Sequence, residues 1–400
     1  MISAKLIDKL FSAASIERWN DYPRMVELSE LDKQAHKFII AFFLAKNENE
    51  IDMLSLIEAG IFEFLRRVVV TDIRPDVFHQ ALKKKTQEIN VWVLERLKES
   101  LDKIENGEFY KRFERYLSDE SLHVKERFIL KAASYLATRW EFSIIYQTSK
   151  FLNDIDVVKN AVEEELEEYL SLNGVRQIVF NKTLARIVDL SGRLRFQKRW
   201  AQTQRIPRTS VLGHMLIVAV LSYFYSLEIK ACSKRLENNF FSALFHDLPE
   251  ALTRDIISPV KYSVSGLDEI ISEFEIQKIE EEIMPHIPQH MQNEFLYLLG
   301  IKEGKKNEFQ NRICKNGELI PVEDTSIYNE DIFGAVDGKI LKNCDRLAAF
   351  LEAVISISYG IKSRELISGK ESTKEKLREN VTKEIDFYKL ADEIEQFYEI

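Results

Sequence analysis

The 400-residue sequence is poor in chain-breakers: 13 glycines and 8 prolines make up about 5% of it, against a usual combined share near ~12%. That scarcity excludes collagen-like repeats, linker arrays and turn-rich all-β folds. It favours long helices. The three cysteines, Cys232, Cys314 and Cys344, stand far apart with no CxxC pair, so there is neither a disulfide framework nor a Cys-rich zinc site. Basic charge is also short. Lys+Arg is 56 against 65 Asp+Glu, a net charge of −9. This argues against nucleic-acid polymers and acidic membranes as partners, although a local basic pocket is compatible with it. No run reaches the ~18 uncharged apolar residues of a spanning helix. The N-terminal MISAKLIDKLFSAASIERW mixes apolar and charged residues at helical spacing and lacks a secretory h-region. The cytoplasm is the simplest compartment.

What is present is a core-building composition: 45% apolar and 30% charged residues, which excludes global disorder. At roughly 100–200 residues per domain, two or three domains are expected. Apolar residues recur at helical spacing over 28–45, 53–70, 89–104, 126–151, 210–229, 238–245, 267–283 and 340–357, so the fold is expected to be all-α. One stretch differs. In NEFQNRICKNGELIPVE (307–323), Asn316-Gly317 separates two β-compatible runs. Asn-Gly suits the positive φ of a two-residue hairpin turn, so a small β-hairpin is expected there; an irregular loop is the alternative.

The chain also reads as duplicated. Arg18-Trp19 resembles Arg199-Trp200, and AHKFIIAFF (35–43) resembles GHMLIVAVL (213–221). FEFLRRVVVTDI (62–73) aligns on FHDLPEALTRDI (245–256), and ILKAASYLATRWE (129–141) on ILKNCDRLAAFLE (340–352). The four blocks recur in the same order. Between the last two, the second copy is longer by 28 residues, placed as an insertion near 300–335. The expected domains are 1–180 and 181–400.

Three features of the second half carry chemistry. His214 lies on an apolar helical face, His246-Asp247 ends an apolar run, and Asp345 sits among Leu341, Cys344, Ala348 and Phe350. A carboxylate on a core-facing stripe is expensive unless paired or bound to a cation. Imidazoles with carboxylates suit a borderline or hard divalent metal. Pro249 disfavours helix at Leu248, so the helix should break at His246-Asp247 and let both side chains converge. Taken singly, each feature has an ordinary reading as a core histidine, a cap or half of an ion pair.

Taken together, His214…His246-Asp247…Asp345 resembles the H…HD…D signature of the HD-domain metal-dependent phosphohydrolases. HDLPEALTRDIISPVKY (246–262) and Arg199-Trp200 resemble the bacterial 5′-deoxynucleotidase branch. The resemblance covers about 190–365. It implies one divalent ion per chain held by His214, His246, Asp247 and Asp345, with Mn, Co, Mg, Fe, Ni and Zn not distinguished. Glu250 and Asp255 match acidic residues near the nucleophilic water. Arg199, Trp200 and Lys261 match positions near the substrate sugar and phosphate. The implied fold is an all-helical bundle that often dimerises, and the implied substrate a deoxynucleoside 5′-monophosphate.

The chemistry agrees. Phosphate monoesters hydrolyse extremely slowly unaided, and a divalent ion activates water and shields phosphoryl oxygens. Another phosphate ester, or a non-catalytic nucleotide-binding regulator, is the alternative. In the first copy His36 and Asp72 are matched, while Glu63, Phe64 and Ser134 replace His246, Asp247 and Asp345. The first half is therefore expected to hold no metal, with His36, His79 and His123 as ordinary histidines. The two halves are expected to pair as an intramolecular pseudo-dimer.

Overall fold

The computed structural model describes residues 2–71, 73, 75–254, 264–315, 317–378 and 385–399. The first half contains helices α1 (Ala4–Phe11), α2 (Glu30–Ala45), α3 (Met53–Val70), α4 (Pro75–Leu101), α5 (Glu108–Ser118), α6 (Val124–Ser149), α7 (Ile155–Glu167), α8 (Asn173–Val179) and α9 (Thr183–Arg193). The second contains α10 (Val211–Glu228), α11 (Ser233–Phe245), the single turn α12 (Glu250–Thr253), α13 (Leu267–Lys278), α14 (Gln289–Leu298), α15 (Gly338–Ser358), α16 (Arg364–Arg378) and α17 (Phe387–Phe397). The all-α expectation holds.

Helix starts follow local chemistry. Ser29 Oγ accepts from the Asp32 N–H, Asp52 Oδ1 from those of Leu54 and Ser55, and Ser210 Oγ from that of Gly213. Each cap satisfies a donor that the first turn leaves open.

Two antiparallel hairpins interrupt the helices. β1 (Ile301–Lys302) pairs with β2 (Lys305–Lys306), and β3 (Arg312–Lys315) with β4 (Glu318–Pro321). The second lies where Asn316-Gly317 placed it, with Lys315 opposite Glu318; Asn316 itself lies outside the described residues. The first escaped notice because two lysine-rich residues per strand carry no alternation. Its turn is readable afterwards, since Glu303 and Gly304 both have positive φ, as a two-residue hairpin turn requires. Arg312, fully buried, fastens the inserted region to the body: its guanidinium donates to the carbonyls of Tyr297 and Leu298 and to Ser242 Oγ.

At the centre α2 packs on α10, and every residue of α2 is buried, including Glu30, Asp32, Lys33, His36 and Lys37. The helices approach so closely that a Cβ on Gly213 would lie 2.9 Å from Asp32 Oδ1. Aromatic side chains join the halves: Phe42 lies 4.7 Å from Phe241 and 5.0 Å from Phe245, and Phe38 lies 5.2 Å from Phe240, between ring centroids. Such pairs contribute about 0.5–1.5 kcal/mol each beyond area burial. The apolar core therefore runs without a break across residue 180. α10 has the length and apolarity of a membrane span, but 89% of it is buried inside the fold, as for a central core helix.

Candidate metal centre

α10 carries His214 one turn past its cap, with the His214 N–H donating to the Ser210 carbonyl at 3.0 Å. α11 ends at Phe245, so His246 and Asp247 fall in the turn before α12. This is the break that Pro249 was expected to impose, and the turn lets adjacent side chains face one point. α15 brings Asp345 across from the other side.

One ligand atom each from His214, His246 and Asp247 lie within 4.8 Å of one another. His246 Nδ1 is 2.6 Å from the Ala243 carbonyl. A carbonyl only accepts, so Nδ1 carries a hydrogen. His246 Nε2 is buried, makes no hydrogen bond, and lies 3.1 Å from Asp247 Oδ2. A lone pair facing a carboxylate oxygen in a dry site repels unless a cation, proton or metal, stands between them. These residues therefore fit a divalent ion: nitrogen and oxygen donors, buried, with one donor atom left unused.

Asp345 joins the set through His214, with Oδ1 3.1 Å from Nε2, while Lys342 Nζ holds its other oxygen at 3.1 Å. Burial and the Arg199 charge oppose protonation of His214, but hydrogen bonds to Asp345 and Glu352 outweigh them and raise its pKa to about 9. Burial works against ionised Asp247 and Asp345 as well. The His246 charge beside Asp247, and the Lys342 charge with the His214 hydrogen bond at Asp345, hold both below the usual carboxylate range. Without a metal, protons screen these carboxylates, and an ion entering the site displaces them.

The other expected residues are distributed unevenly. Arg199 lies close enough for its charge to act on His214, Asp247 and Glu352. Trp200 donates from Nε1 to Glu352 Oε2 at 2.9 Å. Its ring lies so close to Gly369 that a Cβ there would come within 2.6 Å of it. Glu250 opens α12, and with Asp247 it acts on the buried Lys306 ammonium. Asp255 and Lys261 lie outside the described residues.

Sequence reasoning overlooked several neighbours. Glu352 stands seven residues after Asp345, on the same face of α15; a carboxylate inside LAAFLEAVISI was the available signal. The inserted region also reaches the site. The Phe309 ring lies 5.8 Å from that of His246, with Lys342 Nζ 4.0 Å from the Phe309 ring centre. Lys306 on β2 pairs with Glu275 (3.4 Å) and Glu308 (3.6 Å). Their residue types carry no motif, and only tertiary contact identifies them.

The first half shows a parallel arrangement with different chemistry. Arg18 Nε and Trp19 Nε1 donate to Glu141 Oε2 at 2.8 and 3.1 Å. Glu17 bridges Ser29 as Lys198 bridges Ser210. Counting four residues past each capping serine pairs His214 with Lys33, not with His36, and Lys33 Nζ donates to Ser134 Oγ at 2.6 Å. The matching of His36 to His214 is thus corrected. A slip of three residues is nearly one helical turn and preserves the apolar face, so the two registers look alike in sequence.

His36 makes two hydrogen bonds: Arg195 Nη2 donates to Nδ1 (3.0 Å), leaving Nε2–H to donate to the Val188 carbonyl (2.9 Å). Glu63 pairs with Lys37 and accepts from Tyr116 Oη at 3.0 Å. Exposed His123 precedes α6; Asp72 and the side chain of His79 lie outside what is described. Among the described residues, the cluster of His214, His246 and Asp247 is the one able to hold a metal.

Burial, then the Arg195 charge, hold the His36 pKa down to about 3, against about 6.5 in an unfolded chain. Between those values the unfolded chain binds a proton that the fold excludes, so stability is lost as pH falls through that window. Urea midpoints across pH 7 to 4 should fall less steeply in His36→Gln than in the parent; equal slopes would contradict this.

A family model described as "HD domain" matches residues 191–374. A 5′-deoxynucleotidase of Cronobacter sakazakii is 24% identical over 204 residues, covering 49% of this chain and 84% of that protein. One from Erwinia tasmaniensis is 26% identical over 204 residues, with the same shares. Among solved structures, a Listeria innocua HD-domain phosphohydrolase aligns with a TM-score of 0.36 and 20% identity, over 54% of this chain and 86% of that one. A cyanophage S-2L HD phosphohydrolase bound to dA and one catalytic Zn2+ ion aligns with a TM-score of 0.33 and 17% identity, over 53% and 93%. The matched segment, residues 191–374, is similar to the HD domain and contains the whole His214, His246, Asp247 and Asp345 set.

Proposed function

We propose that the second half is a metal-dependent phosphohydrolase that removes the 5′-phosphate from deoxynucleoside monophosphates. The observation that carries this is the unused Nε2 of His246 facing Asp247, with His214 beside it. The relatives named 5′-deoxynucleotidases, matched over 84–86% of their length, support the substrate class.

In this reading His214, His246, Asp247 and Asp345 hold a divalent ion, which supplies the charge that lowers the pKa of water and screens a phosphate. Glu250 is assigned the proton transfers, as general base toward water or general acid toward the leaving 5′-oxygen. Asp255 shares that assignment on sequence grounds. Arg199, with its bidentate fork, is assigned to phosphate oxygens, as is Lys261 on sequence grounds. Trp200 is assigned the sugar side. Phe309 and the inserted hairpin wall the site and narrow what enters.

The test is phosphate release from a panel of nucleoside and deoxynucleoside monophosphates, with manganese, cobalt or magnesium, alongside metal analysis. Turnover on 5′-monophosphates with one bound ion per chain is expected. Turnover of a different ester alone would redirect the substrate, and nucleotide binding without turnover would replace the enzyme by a regulator.

We further propose that the first half is a copy of the second without metal, paired with it about a pseudo-twofold axis. The matched Trp–Glu hydrogen bonds support this, as do the matched bridges and reciprocal contacts: Phe42 of α2 meets Phe241 of α11, while Tyr223 of α10 donates to Glu58 of α3 at 2.7 Å. In that reading the Lys37 ammonium, paired with Glu63, replaces the ion's charge. An isologous face filled from within leaves no vacancy for another chain. Light scattering should therefore report a 46.8 kDa monomer, and a stable dimer would count against the idea.

A further inference from the structure

We propose that Glu352 is a positioning residue that fixes the imidazole of His214 for metal binding and ties it to the substrate-side Trp200. This inference rests on the hydrolase reading of the same site.

Glu352 is 1% exposed, on the stripe of α15 that also bears Asp345. Its two oxygens meet side chains from the stretch 200–214. Oε2 accepts from Trp200 Nε1 at 2.9 Å, and Oε1 accepts from Thr209 Oγ1 at 2.8 Å. Oε1 also lies 3.4 Å from His214 Nδ1, and Arg205 Nη2 stands 3.9 Å from Oε2. A buried carboxylate is costly without partners. Arg205 alone could have neutralised it at that separation, yet the closer contacts are to the indole, the hydroxyl and the imidazole.

The arrangement has a direct consequence for the ligand set. His214 uses Nε2 on the Asp345 side. A carboxylate against the other nitrogen favours the Nδ1–H tautomer and leaves the Nε2 lone pair for an ion, and it also holds the ring's orientation. His246 is anchored in the corresponding way by the Ala243 carbonyl at its Nδ1. Both histidines of the cluster thus have an oxygen at the far nitrogen, hydrogen-bonded at 2.6 Å in His246 and facing it across 3.4 Å in His214.

The first half supplies an internal comparison. Glu141 also accepts from a tryptophan, Trp19, but its remaining partners are Arg18 and Arg195 at 2.8 Å each. No histidine touches it in those contacts. The Trp–Glu hydrogen bond is shared by both halves and is architectural, whereas the carboxylate–imidazole contact occurs beside the metal-ligand cluster.

The experiment uses the full chain with manganese alone as the probe, titrated calorimetrically, and measures kcat and KM for phosphate release. Glu352→Gln keeps the side chain's shape, with one carboxylate oxygen replaced by an amide nitrogen, but removes the charge facing His214. Its manganese affinity should fall roughly 10–100-fold, with the circular dichroism melt of a folded protein and a lower kcat. Wild-type affinity in folded Glu352→Gln would make the residue merely structural and overturn the proposal. A parent protein that binds no manganese would instead refute the hydrolase reading beneath it. Were the variant to unfold, the zinc-loaded parent labelled with 15N-histidine still decides. A His214 spectrum of the Nδ1–H tautomer is expected, and the Nε2–H tautomer would overturn the assignment.

Discussion

Asp345→Ala is expected to strip the protein of its metal and of its turnover together. The argument is one of charge. Asp345 stands 3.1 Å from both His214 Nε2 and the Lys342 ammonium. Its removal takes away a ligand and also leaves Lys342 facing the histidines without a counter-charge. The site would then repel a divalent cation. Loss of a preorganised electrostatic contact costs turnover about 10²–10³-fold, and loss of a metal ligand should reach at least the upper end. Metal content after dialysis and phosphate release on the same preparation measure both effects. A variant that kept its ion and its rate would exclude Asp345 from the site and leave the three-residue cluster to be explained differently.

The second large effect is on stability, and it lies in the first half. Glu141 is fully buried, and its carboxylate pairs with the fully buried Arg195 and with Arg18. Glu141→Ala would leave Arg195 with the Gly192 carbonyl and the neutral His36 nitrogen, neither of which carries charge. Arg18 would retain Glu30 at 3.0 Å. Breaking one side of a buried ion pair costs about 3–5 kcal/mol, because an uncompensated charge remains in the interior. Urea unfolding should show a loss of that size, with Glu141→Gln milder, since its amide oxygen still accepts. A midpoint unchanged in Glu141→Ala would mean that water or another group reaches Arg195 easily.

The metal-ligand candidates were legible because the cost of buried charge shows in the sequence. His214, His246-Asp247 and Asp345 are polar residues where the helical period demands apolar ones, and Pro249 announces the turn that lets two consecutive residues converge. The structure brings the first three together and sets Asp345 against His214. Helix positions were legible for the same reason of period: 53–70 was expected and Met53–Val70 is observed. The start of α4 was not legible. Its N-terminal part carries several charged residues, and the stretch begins at Pro75 rather than near residue 89.

Other errors came from degeneracy in the code that helices use. His36 looked like the partner of His214 because a three-residue slip keeps the same face toward the core. Only the capping serines and the contact between Lys33 and Ser134 fix the register. Glu352 was visible in an apolar run, but its three partners come from residues 138 to 152 positions earlier, and no local pattern encodes that meeting. Lys306 and Phe309 belong to an insertion whose own sequence reads as a surface hairpin.

Composition, helical period and one spaced set of histidines and aspartates were therefore enough, by themselves, to determine an all-helical chain and to point to its candidate metal centre. The burial of polar groups leaves a local trace, because each such group violates the pattern around it. Tertiary structure alone decided which carboxylate faces which imidazole, that Phe309 of the inserted region lies beside His246, and that α2 and α10 share one continuous core. Those outcomes depend on contacts between distant segments, where the free energy resides in the meeting of two surfaces and neither surface alone records it.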